Sequence, residues 1–263
     1  MVYKKSIGEH IFDVFNHILL FLLLIVTLYP CYYVLVASVS DPIQVFASKG
    51  ILLLPKGLAM HSYKEVLEFA QLWIGYKNTV FYVIVGGFLS VLLTITTAFG
   101  LTRTGLPGKN VVMFLILFTM YFSGGMIPNY LLVKSLGMLD TIWAMIIPGA
   151  VSTYNLIITM SYFRSMPSSL EEAAKIDGAS EYIVLFKVLV PLAKPIIAVI
   201  SLYYMVAKWN DFMTALIYIS NRSLYPLQLV LREILIQNNT MDISGASQAD
   251  AAAAYAENVK FAT

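Results

Sequence analysis

The sequence has 263 residues, of which 59% are hydrophobic and 12% are charged, whereas soluble domains average roughly 45–50% apolar and about 25% charged residues. Together with a mean hydropathy of +0.77, this composition excludes an ordinary soluble globular protein. The net charge of +2 is small and spread along the chain, so no nucleic-acid partner is expected. We therefore predict a single membrane domain over residues 1–263 with an all-α fold, because a helix satisfies its own backbone hydrogen bonds in lipid.

The N-terminal apolar run extends from Phe15 to about Ser38 and follows Lys4 and Lys5. It is too long for the core of a signal peptide and has no small-residue cleavage site in the right place, so we expect a retained first span. Cys31, the only cysteine, lies inside this run. An internal disulfide is therefore excluded, and the redox compartment stays undetermined.

About 20 mostly apolar residues are needed for a helix to cross a membrane. The sequence supplies five such stretches, at about 15–38, 79–101, 110–130, 141–163 and 193–219. The long segment between the first two stretches contains an amphipathic run from Tyr63 to Phe69, which suits a surface loop with a short helix. The third stretch is interrupted at Ser123-Gly124-Gly125 and then Pro128-Asn129-Tyr130. This pattern fits either a broken helix that lines a cavity or an ordinary helix end at the interface.

Residues 164–192 form a polar insert between the fourth and fifth stretches. Ser169 stands three residues before Glu172, the spacing of a capping box, so a short helix is expected to begin there. Gly178 is expected to end that helix in the left-handed conformation. Ser180 is then a candidate N-cap for a second helix, residues 181–190, which carries an apolar stripe and leads to Pro191.

Two interpretations of the insert remain open from the residues alone. Ala173 and Ala174 would let the short helix approach another surface closely, and the neighbouring charged side chains could pair with that surface. A docking element is therefore one interpretation. The other is an amphipathic loop with well-capped helices and no partner.

The run from Glu172 to Gly178, followed after nine residues by Val188-Leu189-Val190-Pro191, resembles the EAA motif of ABC importer permeases. Other stretches resemble the maltose-permease-like subunits that import oligosaccharides in Gram-positive bacteria. These are Arg103–Lys109, Gly124–Leu131, Ser135–Asp140 and Trp209-Asn210-Asp211. The resemblance implies a type I importer membrane domain in the cell membrane of a bacterium, expected to be Gram-positive.

In that family the insert forms coupling helices that sit in a groove on a cytoplasmic ATPase. The resemblance therefore implies a coupling role for a set of insert residues: Glu171, Glu172, Ala173, Ala174, Asp177, Gly178 and Pro191. It also implies three kinds of protein partner besides membrane lipid. These are a second permease subunit, a cytoplasmic ABC ATPase dimer and an extracellular sugar-binding lipoprotein.

The chain has no G-x-x-x-x-G-K-[ST] loop, so we expect no enzymatic activity and no cofactor of its own, with ATP and Mg²⁺ used by the partner ATPase. Counts of Lys and Arg do not fix the orientation, because with the N-terminus inside each side holds eight. The resemblance places the insert, and hence the N-terminus, in the cytoplasm. Members of the family continue into one more span, so the chain looks truncated, with the helix-prone segment 247–263 leading into the missing span.

Candidate pathway residues lie mainly in the last two stretches. Lys208 and Asp211 are ionisable groups within a span, three residues apart, and could pair on one helix face. Side chains suited to stacking on sugars or bonding to them are Asn129, Tyr154, Asn155, Tyr203, Tyr204, Trp209 and Asn210. Aromatic residues near span ends are, however, commonly interface anchors. The resemblance also leaves open that the second permease holds most of the substrate.

A channel or an ion-coupled transporter is the alternative on composition alone, because it too has broken helices and buried charge. The insert argues against it, since an ion-driven carrier has no ATPase to dock. An enzyme is disfavoured because His10, His17 and His61 show no metal-ligand spacing and no nucleophile motif is present.

Overall fold

The computed structural model describes residues 6–41, 44–45, 51–103 and 105–244. Within these ranges the regular elements are helices, and Ser40 and Leu58 form an isolated β-bridge. The predicted all-α fold class is therefore confirmed. The chain divides into two compact units, residues 1–69 with 233–263, and residues 70–232. That the whole chain is one membrane domain stays a prediction, and the expected lead-in at 247–263 lies outside the described residues.

The first unit is dominated by helix α1, Ile7–Ser38. Its N-terminus is closed by a capping box in which the Ser6 amide donates to the Glu9 carboxylate at 2.7 Å and the Glu9 amide donates to the Ser6 hydroxyl at 3.3 Å. Helix α1 begins eight residues before the predicted start of the first span at about residue 15. Its 32 residues make a helix about 48 Å long. Its most apolar window has no buried residue, as a helix facing lipid requires.

The predicted amphipathic helix of the first loop is confirmed as α2, His61–Glu68. The Tyr63 hydroxyl lies 2.7 Å from the hydroxyl of Ser38, at the end of α1. This bond fixes α2 beside the C-terminal turn of α1.

The second unit begins with α3, a continuous apolar helix over Ala70–Thr102 with a π-helical segment at Tyr82–Gly86. It starts before the predicted residue 79 because polar side chains in its first turns find tertiary partners. Asn78 Nδ2, for example, donates to the carbonyls of Ser223 and Tyr225 at 2.8 and 3.0 Å. Contacts of this kind extend the helix beyond its apolar stretch.

The third predicted span is broken earlier than expected. Helix α4, Lys109–Tyr121, ends before Gly125, which has a φ of +87°. Helix α5, Met126–Ser135, then begins. The interruption at 123–125 is confirmed, but Pro128-Asn129-Tyr130 lies inside α5, because proline is tolerated in the first turn of a helix, where its missing N–H has no intrahelical acceptor.

The fourth and fifth predicted stretches are each divided between two helices. Residues 141–163 contain α6, Ile142–Ile146, and α7, Thr153–Ser165. They are separated at Pro148-Gly149, where Gly149 has a φ of +71° and Pro148 lacks an amide donor. The insert follows as α8, Ser168–Ile176, and α9, Glu181–Leu192.

Helix α10, Lys194–Trp209, meets α9 at 85°. It stops where Asn210 Nδ2 donates to the Val206 carbonyl at 2.9 Å, because such a side-chain bond competes with continuation of the helix. Helix α11 follows at Met213–Tyr218, and α12 at Leu227–Ser244. Helix α12 runs from the second unit into residues assigned to the first.

Among the described residues, α1 and α3 are each long and apolar enough to cross a membrane, and α9 with α10 make a third candidate if the bent pair is one span. The count of five spans stays a prediction. The main core of the second unit forms where α3, α7, α9 and α10 meet. Its buried side chains include Phe99, Leu156, Met160, Phe163, Leu189, Ile200 and Tyr204.

Candidate functional site

The insert folds as two helices joined by a glycine turn. At the end of α8, the Gly178 amide donates to the Lys175 carbonyl at 3.0 Å and the Ala179 amide donates to the Ala174 carbonyl at 2.9 Å. This pair of bonds is a Schellman motif, which requires a left-handed residue, and Gly178 has a φ of +80°. The predicted left-handed glycine at this position is confirmed.

The predicted capping box at the start of α8 is wrong. Pro167 occupies the N-cap position with φ −61° and ψ 128°, and α8 begins directly at Ser168. Ser169 therefore lies inside the first turn, where its hydroxyl cannot serve as the cap. Ser180 is at the N-cap of α9 as predicted, although this part of the described chain shows no capping bond from its side chain.

The matching residues of the EAA-like run lie on an open face. Glu172, Ala173 and Asp177 are exposed, and Ile176 keeps 86% of its surface exposed. Ala174 instead packs against the core. The run therefore turns one side toward the membrane domain and leaves a mixed acidic and apolar side available to another protein.

Pro191 lies in the last turn of α9, just before the 85° bend into α10. The preceding segment, Val184–Leu189, is π-helical. A proline without an N–H and a widened π turn are both recognised causes of helix bending. The sequence thus places the bend that turns the insert into the next helix.

Charged side chains line a groove of about 590 Å³ between the insert and the end of α3. Arg103 donates to both carboxylate oxygens of Glu171, with Nη2 2.8 Å from Oε1. Lys175 Nζ lies 2.7 Å from the carboxylate of Glu181. The sequence predicts a coupling role for Glu171 but none for Arg103, which enters only as part of the Arg103–Lys109 stretch that resembles the permease family.

Lys208 is buried, with 8% of its surface exposed, and its ammonium is held by the end of α6. Nζ donates to the Met145 carbonyl at 2.6 Å and to the Ile146 carbonyl at 3.4 Å. The predicted pair with Asp211 is therefore wrong as a direct bond. The Asp211 carboxylate accepts from the Thr214 amide at 3.1 Å instead, because a short acidic side chain satisfies a free N–H at the start of a helix.

Two other predicted pathway residues are buried in packing contacts. The Tyr204 hydroxyl lies 2.6 Å from Thr94 Oγ1 and accepts from the Ser152 amide at 2.9 Å. Asn155 keeps 4% of its surface exposed, and its carbonyl accepts from Thr159. The Tyr204 hydroxyl therefore joins α10 to α3 and to the start of α7, whereas the Asn155 bond lies within α7.

The remaining pathway candidates are open but scattered. The rings of Tyr154 and Tyr203 lie 6.3 Å apart, and Trp209 contacts Tyr76 edge-on at 6.1 Å. Asn129 is exposed in α5, and Asn210 is exposed at the end of α10. None of the nine predicted pathway residues lines the groove beside the insert. Within the described ranges, His, Cys, Asp and Glu side chains form no cluster suited to a metal ion.

The chain matches a family model described as "binding-protein-dependent transport system inner membrane component" over residues 69–256. The polygalacturonan/rhamnogalacturonan transport system permease protein YtcP of Bacillus subtilis (strain 168) is 39% identical over 233 residues, covering 89% of this chain and 81% of the relative. Protein LplC of the same organism is 39% identical over 235 residues, covering 89% and 79%. A crystal structure of a bacterial ABC transporter involved in the import of the acidic polysaccharide alginate contains a chain that matches with a TM-score of 0.88 and 31% identity, covering 99% of this chain and 92% of that one.

Proposed function

We propose that this chain, which belongs to the family of binding-protein-dependent transport system inner membrane components, moves a carbohydrate across the cytoplasmic membrane as the permease subunit of an ATP-binding-cassette importer. ATP hydrolysis on a separate ATPase drives the movement through the insert. The observation that carries this proposal is the insert itself. Two helices meet at the left-handed Gly178, and Glu172, Ala173 and Ile176 are left open beside the turn.

The open face of α8 supports docking on a protein rather than burial in lipid. Glu172 and Asp177 are charged and exposed, which is costly in a hydrocarbon environment. The insert then belongs on the cytoplasmic side, where the ATPase binds, and the N-terminus lies on that side too. A second permease subunit, an ATPase dimer and an extracellular sugar-binding lipoprotein complete the proposed importer.

The substrate proposed is an oligosaccharide, and specifically an acidic one. YtcP is named for polygalacturonan and rhamnogalacturonan, and the matching crystal structure belongs to an importer of alginate, an acidic polysaccharide. Tyr154, Tyr203, Trp209, Asn129 and Asn210 are the exposed or half-buried candidates that we propose to line the pathway in this chain. We propose that four other candidates do not line the pathway but hold the helices that do. These are Lys208, Tyr204, Asn155 and Asp211.

The energy source separates this proposal from an ion-coupled carrier. The test uses proteoliposomes that hold the complete importer, with ATP on the side of the ATPase and the sugar-loaded binding protein on the other. We expect uptake of an oligogalacturonate to need ATP, and a neutral maltooligosaccharide of equal length to move more slowly. Uptake driven by a proton or sodium gradient without ATP would contradict the proposal.

A further inference from the structure

Arg103, the first residue after α3, contacts the insert from a position 68 residues away in the sequence. Its two terminal nitrogens donate to the two carboxylate oxygens of Glu171. Both side chains keep only about a fifth of their surface exposed, 21% and 22%. A bidentate arginine–carboxylate pair that is partly shielded from water is both strong and directional.

The guanidinium is equally fixed to its own helix. Its central carbon lies 4.0 Å above the ring of Phe99, and Nε donates to the Phe99 carbonyl at 3.4 Å. Phe99 is 8% exposed and belongs to the core in which α3, α7, α9 and α10 meet. Arg103 therefore connects the insert to the core of the membrane domain and does not extend into solvent.

An ion pair also connects the two helices of the insert across the glycine turn. Lys175 in α8 pairs with Glu181 at the start of α9 at 2.7 Å. Arg103 Nη1 lies 3.9 Å from the same Glu181 carboxylate. The guanidinium thus touches both helices of the insert, so that α8 and α9 are held to the end of α3 together.

Further along α3, another polar contact reaches the helices of the candidate pathway. Thr94 Oγ1 lies 2.6 Å from the Tyr204 hydroxyl in α10, and that hydroxyl accepts from the Ser152 amide at the start of α7. Thr94 and Tyr204 are both buried. A shift of α3 would therefore displace the Tyr204 hydroxyl, which belongs to α10 and contacts the start of α7.

We propose that Arg103 is a positioning residue that transmits movement of the insert to α3, and through the Thr94–Tyr204 contact to α7 and α10. This inference rests on the proposed importer function. It assigns to a residue outside the EAA-like run the task of converting movement of the docked insert into movement of the pathway helices.

The test is a double-mutant cycle in the complete importer, measuring sugar molecules moved per ATP hydrolysed. Arg103→Gln and Glu171→Gln each remove one partner of the pair. We expect each to lower the ratio about tenfold and the double variant to be no worse than Arg103→Gln alone, because that change already removes the pair with Glu171. The control cycle pairs Arg164→Gln with Glu171→Gln, since Arg164 is an exposed cation in the same groove.

Additive losses for Arg103 and Glu171, or an equal loss for Arg164→Gln, would overturn the inference in favour of a general electrostatic effect. A loss of assembled complex with an unchanged ratio would overturn it in favour of a purely structural role. If the wild-type importer moves no sugar with ATP, the proposed function fails instead. Transport that survives in Arg103→Gln at the wild-type ratio contradicts the positioning role alone.

Discussion

Lys208 illustrates how a charged side chain inside an apolar helix is accommodated. Its ammonium donates to the Met145 and Ile146 carbonyls at the end of α6, where the last carbonyls of a helix have no intrahelical partner. Gly86 lies beside this side chain, and a Cβ there would be 3.4 Å from Lys208 Cε. Lys208 therefore stabilises the break between α6 and α7.

Replacing Lys208 by the similarly shaped methionine should destabilise the protein. The two carbonyls would lose their donor, at a cost of roughly 2 kcal/mol, which corresponds to a melting temperature lower by about 4–8 °C. The measurement is thermal unfolding of the detergent-purified importer. Lys194→Met is the matched control, because Lys194 is exposed at the start of the same helix. Equal melting temperatures for the two variants would show that the buried bonds do not matter.

At single residues, sequence predicts what depends on local conformation. Gly178 is predictable because a helix end of that kind favours glycine for reasons confined to a few neighbouring residues. The Arg103–Glu171 pair is not, since its partners are separated by 68 residues and nothing local to either one indicates the other. Lys208 is recognisable from the sequence as a charge within a span, but its backbone partners in α6 cannot be identified from its own helix.

At the scale of helices, the predicted spans are broken at residues that disfavour a helix. A count of apolar residues does not detect these breaks. Pro148-Gly149 ends α6, although the residues on both sides are apolar enough to suggest one helix. The proline–glycine pair is itself a turn signal, so this break is predictable from the sequence. Pro191 marks the position of the bend between α9 and α10, but its angle of 85° is not predictable, because it also depends on π turns that no local sequence pattern identifies.

Helix α3 holds its neighbours through close approach at one glycine. A Cβ on Gly75 would lie 3.1 Å from Leu227 Cα and from Val230 Cγ2. Gly75→Ala should therefore force α3 and α12 apart and cost about 1–3 kcal/mol. Gly100→Ala, in the same helix with nothing within 4 Å, should instead stabilise the helix by about 0.5–1 kcal/mol. Thermal unfolding of both variants distinguishes these effects, and similar melting temperatures would refute the close contact.

On the scale of the whole molecule, the proposed importer requires the insert and the loop before α2 to lie on opposite sides of the membrane. Ile176 in the insert is 86% exposed, and Leu58 in the loop is 84% exposed. Neither side chain is thus covered by the rest of the described chain. The chain must cross the membrane an odd number of times between Leu58 and Ile176 for them to lie on opposite sides.

Orientation can be measured by labelling intact cells with a membrane-impermeant thiol reagent. In a Cys31→Ser background expressed without the ATPase, we expect Leu58→Cys to be labelled and Ile176→Cys to be protected until the cells are permeabilised. Each variant is the other's control, since both side chains are exposed to a similar degree. Labelling of Ile176→Cys in intact cells would place the insert outside and remove the ATPase from its reach.

Coupling of this permease to ATP hydrolysis through the insert can be tested most directly at two glycines of the same conformation. Gly178 and Gly137 both have left-handed φ values, +80° and +68°, and a Cβ added at either residue would meet no other atom within 4 Å. Both also close helices with Schellman bonds. Leucine at either position carries the same backbone strain of about 1–2 kcal/mol.

The measurement is ATP hydrolysis by the reconstituted importer with and without its sugar-loaded binding protein. We predict that Gly178→Leu reduces the stimulated rate to the unstimulated one, that Glu172→Ala does the same, and that Gly137→Leu keeps most of the stimulation. Undiminished stimulation in both Gly178→Leu and Glu172→Ala would contradict the coupling role of the insert.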